Sequence, residues 1–393
     1  MEKVKKTNQA DKTKRENHNN FIKLSRVIAL VVAAGILLAA SFLIPSKKLQ
    51  NGEQNIKYYP AKVVEVLQDN TQKDTTTEGV RRGSQVITIE ITKGPYKDQT
   101  QTIENYLSTL FNVYVKEGSK IIVRATVYED GTNFSVYNYD RSYFIYGFVG
   151  LFALSLCLIG GRKGLMSFIS LGLTLIMVIK ILLPLLLLGY PAVTVTIGLI
   201  IFATIIGFIL LDGVNVKTIS ATIGTITGVG LAGLLTLFAG IVGHITGFQM
   251  EEAENLVLIA SQEGLKVKNL LICGILIASL GAVMDIAMSI ASSIHELKEA
   301  NPRQSTKELF RSGMNIGKDA MGTMTNTLIL AFTGSSLNLL LMMYSYGIPY
   351  SQLINTDIIA IEIIRGIAGS IGIILTVPIV AWLSSVLENK KAF

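Results

Sequence analysis

Eight apolar runs, each near the length that crosses a bilayer, recur along this 393-residue chain and leave it few possible folds. They fall at 27–44, 143–160, 165–188, 192–211, 218–243, 270–294, 323–344 and 358–387. A hydrocarbon core takes roughly 20 helical residues. Inside it every backbone N–H and C=O must find a partner within the protein, which helices provide. Composition agrees: 50% of residues are hydrophobic and 16% charged, against about 25% charged in soluble proteins. The expected fold class is a membrane all-α bundle of about eight transmembrane helices, with the lipid bilayer as its first partner. The least regular run is 165–188, where Lys180 precedes Pro184. One kinked helix, with Lys180 reaching toward an interface, is the simplest reading.

Charge sets the orientation. Residues 1–26 hold eight lysines and arginines against three acids, the mark of a cytoplasmic flank. Run 27–44 is stopped by Pro45 and lacks a clear small-x-small cleavage site, so it reads as an uncleaved anchor. The inner loops are then Arg162-Lys163, residues 212–217 and the long stretch 295–322, which carries Lys298, Arg303, Lys307, Arg311 and Lys318. The outer loops are 189–191, 244–269 and 345–357; the last has no Lys or Arg. Both termini fall in the cytoplasm, with 143–387 as a seven-helix membrane domain and 388–393 as a short tail.

Residues 46–142 change character and form the one domain outside the membrane. Short alternating runs at 62–67, 85–91, 99–105, 120–127 and 133–139 read as strands, separated by turn signals such as Lys93-Gly94-Pro95 and Glu117-Gly118-Ser119. Five short strands suggest a small extracytoplasmic β-rich domain, closed or sandwiched, with an OB-like barrel as one candidate. The Thr-rich, charged stretch 69–82 reads as a mobile insertion. Tyr58, Tyr59, Tyr137 and Tyr139 could make an aromatic patch, although Tyr137 and Tyr139 at a spacing of two share a strand face and fit ordinary packing.

Polar residues within the apolar runs are the most informative for function, because a charge at the bilayer centre costs roughly 2.5–3.5 kcal/mol and is expected to face the bundle interior with a partner. Asp285 is followed by Ser289 and Ser293 at offsets of four and eight, which puts all three on one helix face. Asn326 and Thr327 enter the next run from the cytoplasmic side, and Asn326 could donate to Asp285. Glu362 and Arg365, spaced i,i+3, are neighbours on a helix surface; an internal ion pair is the plain reading and a substrate or coupling role the functional one. Gly224 and Gly228 make a small-xxx-small spacing, and Gly366, Gly369 and Gly372 a second small stripe; close helix packing accounts for both. Two flanking segments look amphipathic. One is 250–262. The other follows Ser305-Thr306-Lys307-Glu308, a capping-box pattern that would open a short cytoplasmic helix through Phe310.

Several chemistries have no basis here. The two cysteines, Cys157 and Cys273, both lie in apolar runs, and three histidines are too few and scattered for a zinc site. No phosphate-binding GxxxxGK[ST] loop occurs, and His295-Glu296-Leu297-Lys298-Glu299 lacks the second histidine of a metalloprotease helix. No aromatic interleaving accompanies the basic tail, so no nucleic-acid partner is expected. No catalytic residue, metal or cofactor is assigned.

Residues 281–293, 309–319 with 321–327, and 362–372 together resemble the YibE/F-like family of bacterial multi-pass membrane proteins, from about residue 55 onward. Lys318 stands where many members carry arginine. The resemblance implies a bacterial cell-membrane protein and supplies no catalytic residues. The leading functional expectation is a secondary transporter or permease-like protein for an unknown solute, lined by Asp285, Ser289, Ser293, Asn326, Thr327, Glu362 and Arg365. The alternative is a scaffold presenting its β-domain to a protein partner. A homo-oligomer or a partner of the same family is compatible with either.

Overall fold

The computed structural model describes residues 24–40, 55–128, 131–245, 256, 267 and 269–390. The basic tail and nearly all of the amphipathic segment expected at 250–262 lie outside the described residues. Two compact units divide the chain: Lys47–Ser155, and Met1–Ser46 together with Leu156–Phe393.

The first unit is an antiparallel sheet of β1 (Ile56–Asp69), β2 (Gln72–Lys73), β3 (Arg81–Ile91), β4 (Thr100–Leu107), β5 (Lys120–Tyr128) and β6 (Gly131–Tyr139). Its order is β4-β3-β1-β5-β6, with the two residues of β2 alongside the start of β3. Alternation decides the core: Val63, Ile87, Ile89, Ile91, Ile121 and Val123 point to one face and are fully buried. All five expected strands are present. The expected insertion 69–82 instead contains β2, paired to Arg81 and Arg82, and Arg82 Nε reaches Asp74 at 2.7 Å. The four tyrosines do not form one patch. β6 carries a bulge at Tyr137, since Ile122 pairs Asn138 and Val123 pairs Val136. The extra residue reverses facing, so Tyr137 stacks edge-on against exposed Tyr58 at 4.8 Å while Tyr59 and Tyr139 pack on the core.

The other unit is helical. Its elements are α1 (Leu24–Ala40), α2 (Ser142–Met177, which begins in the first unit), α3 (Leu183–Leu187), α4 (Ala192–Asp212), α5 (Val216–Val242), α6 (Leu270–Ala300), α7 (Thr306–Ser335), α8 (Leu337–Ser345), α9 (Tyr350–Leu353) and α10 (Asp357–Lys390). Among the described residues five stretches are long and apolar enough to cross a membrane, or six if the bent pair α7–α8 counts as one. That is fewer than the eight runs, for identifiable reasons. Runs 143–160 and 165–188 are joined in one 46-residue stretch, Ser142–Leu187, and α1 is a shorter apolar helix.

The joined stretch is not straight. Gly161 has φ 54° and ψ −129°, outside helical values. A Cβ on Gly164 would lie 1.9 Å from the Leu156 carbonyl oxygen. Residues eight apart in a straight helix are about 12 Å apart, so the chain folds back here, at Arg162-Lys163. Past it, Val178–Leu182 is π-helical and Pro184 follows inside α3. Proline lacks the N–H that an α-helix would use, and the wider turn absorbs it: the Leu183 N–H bonds to Val178 O. Lys180 lies on this π-helical turn and is exposed.

The stretch 295–322, expected as an inner loop, is mostly helix. α6 runs on to Ala300, and the capping box at Ser305 and Glu308 opens the 30-residue α7 rather than a short surface helix. Glycines decide this. Cβ atoms on Gly313 and Gly317 would approach Ile294 and Ile290 to 2.6 and 3.1 Å, so α7 lies directly against α6. The same close approach joins α5 to α10, where a Cβ on Gly224 would meet Val380 at 2.0 Å and one on Gly228 would meet Thr376 at 1.8 Å. The small-residue spacings are thus packing seams, as expected. The main core lies between α5, α6, α7 and α10, centred on Val283, Ile290, Ile294 and Val377.

Candidate functional site

The bend between α7 and α8 is the point where an apolar helix breaks and polar groups gather. The two helices meet at 59°, with Ser336 ending one and starting the other. Ser336 donates its hydroxyl to Glu362 Oε2 at 2.8 Å, and Arg365 Nη1 donates to Glu362 Oε1 at 2.9 Å. The Arg365 guanidinium also lies over the Phe332 ring, 5.9 Å from its centroid. The i,i+3 spacing of Glu362 and Arg365 on α10 makes the pair, as the sequence indicates. Ser336 is the added partner. Both charged side chains are about one-quarter exposed. Beside them is a cavity of about 360 Å³ whose wall includes Ile329, Phe332, Leu340, Glu362, Ile363 and Ile367. That volume is at the small end of ligand pockets, which combine apolar walls with a few polar groups. Broken helices in membrane proteins recurrently line such sites.

Asp285 is the central residue of α6, with fifteen residues on either side. Ser289 and Ser293 share its face, and the Ser293 hydroxyl bonds to Ser289 O. The sequence expectation has Asp285 facing the bundle interior, where Asn326 of a neighbouring helix could donate to it. The structure differs: Asp285, Ser289, Asn326 and Thr327 are exposed on the surface of the single chain and Ser293 is half-buried. Among the described residues no hydrogen bond joins Asp285 to Asn326. The reason is rotational setting. Ile286, Ile290 and Ile294 take the inward side of α6 and turn Asp285 away. The Asp285 group and the Glu362–Arg365 pair therefore form two separate polar places rather than one cluster.

A third polar group, missed by the sequence reading, closes one end of the helical unit. Lys298 is 8% exposed and Glu388 5%. Lys298 Nζ donates to Pro302 O at 2.8 Å, to Gln304 O at 3.0 Å and to the Asn389 side chain. His295 Nδ1 lies 2.9 Å from Glu388 Oε1. Asp212 pairs with both Lys163 and Lys217 at 3.2 Å, Lys217 is within electrostatic reach of His295, and Arg26 donates to Leu211 O. Segments assigned to the inner side by charge bias thus meet at one end. In the sequence Lys298 reads as a loop charge; its burial follows from the packing of α10 on α6. Among the described residues no cluster of His, Cys, Asp and Glu could hold a metal ion.

Residues 148–390 match the model of a protein family described as YibE/F-like protein. The chain belongs to the YibE/F-like family. The match takes in the α7–α8 bend, Asp285 and the Lys298–Glu388 end cluster, and leaves strands β1 to β6 outside it. Neither the curated proteins nor the solved structures searched gave a match. Within this YibE/F-like chain the apolar helices make it a membrane protein.

Proposed function

We propose that this protein is a permease-like secondary transporter of the bacterial cell membrane. The observation that carries the reading is Glu362, held by Ser336 and Arg365 at a break in an apolar helix and facing a cavity of about 360 Å³. Buried or half-buried charge in a membrane helix is costly to keep without a task, and a broken helix supplies backbone groups for a passing solute. Asp285, at mid-helix, is the candidate coupling group. Eight spans follow if Ser142–Leu187 is two helices hinged at Gly161, the bent pair is one and α1 is one. Both termini are then cytoplasmic and the β-sheet external. The strand order β4-β3-β1-β5-β6, an antiparallel sheet with β4 and β6 at its edges, supports the OB-like reading of the external domain.

Flux of a labelled solute panel into proteoliposomes tests the reading. The expected result is saturable uptake of at least one solute, reduced more than tenfold by Glu362→Gln and uncoupled from the ion gradient by Asp285→Asn. Wild-type vesicles that move no solute above empty liposomes sink it. A second reading, a scaffold for a protein partner, is favoured by the loop after β4, where Leu110 is 88% and Phe111 68% exposed. In that case Leu110→Ser with Phe111→Ser reproduces the deletion phenotype while the Glu362→Gln variant behaves as wild type.

A further inference from the structure

The outer face of α6 is unlike the rest of the helical surface. Gly274, Ala278, Gly281, Asp285 and Ser289 recur at intervals of three and four and are all exposed. Alongside, α7 exposes Asn315, Lys318, Asp319, Thr323 and Asn326. Among the described residues no ion pair holds Asp285, Lys318 or Asp319. By contrast, the exposed side of α5 shows Leu234, Phe238 and Ile241, a face suited to lipid.

The depth of these groups follows from the packing. Gly313 lies against Ile294 and Gly317 against Ile290, so the helices run antiparallel and Gly322 is level with Asp285. Lys318 and Asn326 then sit one turn, about 6 Å, to either side of that level. A carboxylate within the apolar run 270–294 of α6 costs roughly 2.5–3.5 kcal/mol if it faces hydrocarbon near the bilayer centre. Small residues around it allow another helix to come close.

We propose that a second copy of this chain covers this face. Copies related by a two-fold axis along the membrane normal keep equal depths, and a two-fold contact is self-complementary. α6 of one copy then lies on α7 of the other, and each Asp285 meets a cation and an amide, Lys318 and Asn326, one turn to either side of its own level. The Asp285 place is incomplete in one chain and is closed by its neighbour. The contact stands independently of transport: a dimer that moves no solute leaves it intact.

The test uses the full chain in lipid nanodiscs, with native mass spectrometry reading subunit number. Wild type is expected as a dimer. Asp285→Lys should shift it at least tenfold toward monomer, and Asp285→Lys with Lys318→Asp should restore it. Because a charge reversal could simply misfold, a second measurement reads geometry. In a background with Cys157→Ser and Cys273→Ser, differently tagged copies carrying Gly281→Cys or Asn326→Cys should form a disulfide between tags, and copies carrying Phe238→Cys should not. A wild-type monomer overturns the proposal, as does a dimer linked through Phe238→Cys and indifferent to Asp285→Lys.

Discussion

Gln85 shows how much one side chain can hold in the β-sheet unit. It is fully buried on β3, donates its amide to Val115 O and accepts from Val115 N, each at 3.0 Å. Asn105 on β4 adds a bond to Val113 O at 2.8 Å. These two amides substitute for a neighbouring strand and pin residues 113–115 over the core; a buried amide left without partners would cost about 1–3 kcal/mol. At the rim, Asp69 accepts from the Thr71 hydroxyl at 2.6 Å, the Thr71 N–H at 3.0 Å and the Tyr114 hydroxyl at 2.9 Å. The Thr71 hydroxyl is the main cause that holds its carboxyl below the ordinary 3.8. A pKa lowered by folding stabilises the fold above the unfolded value and is lost as pH falls through the folded one. Amide protection around Thr71 and Tyr114 should therefore be flat above about pH 5 and fall below the ordinary carboxylate range, and Asp69→Asn should remove that dependence. Identical exchange profiles for the two proteins would rule the contribution out. None of this network was legible in the sequence, because Gln85 and Asn105 sit in strand patterns like any other polar residue. The strands themselves were legible, since alternation is a local signal.

At the scale of elements, the glycines divide into those that are seams and those that are not. Gly228 has Thr376 Oγ1 1.8 Å and Val283 Cγ1 3.1 Å from where a Cβ would stand, whereas Gly230 on the same helix has nothing within 4 Å. Gly228→Ala should cost about 1–3 kcal/mol through overpacking. Gly230→Ala should be neutral or stabilise by up to about 1 kcal/mol, because alanine is the better helix former. Thermal unfolding in detergent separates the two; equal melting temperatures would contradict the α5–α10 seam. The spacing of Gly224 and Gly228 announced such a seam but not its partner. α7 is the reverse case. Its first half is too polar to read as a span, so residues 306–322 look like loop and surface helix, and only the fit of Gly313 and Gly317 against α6 makes them part of the bundle.

At the scale of the molecule, the charge bias becomes a geometric statement. Arg26, Lys163, Lys217 and Lys298 come from four different segments and all lie at one end of the helical unit. If that end is cytoplasmic, an impermeant thiol reagent on intact cells should spare Arg303→Cys and Lys163→Cys and label Gln72→Cys and Ser351→Cys, all in a cysteine-free background. Labelling of Arg303→Cys from outside reverses the topology.

What the sequence determined by itself was what can be added up along the chain. Hydropathy summed over about twenty residues makes this a membrane protein, alternation marks the five main strands, the i,i+3 spacing pairs Glu362 with Arg365, and three blocks of residues identify the family. The tertiary structure alone decided how each helix is turned. α2, α4 and α10 are apolar nearly all round, so no stripe in their sequences says which side meets which neighbour. That choice is made by close packing between helices distant in the chain. It brought Ser336 to Glu362, buried Lys298 as a clasp on α10, and turned Asp285 outward to a face that one chain leaves open.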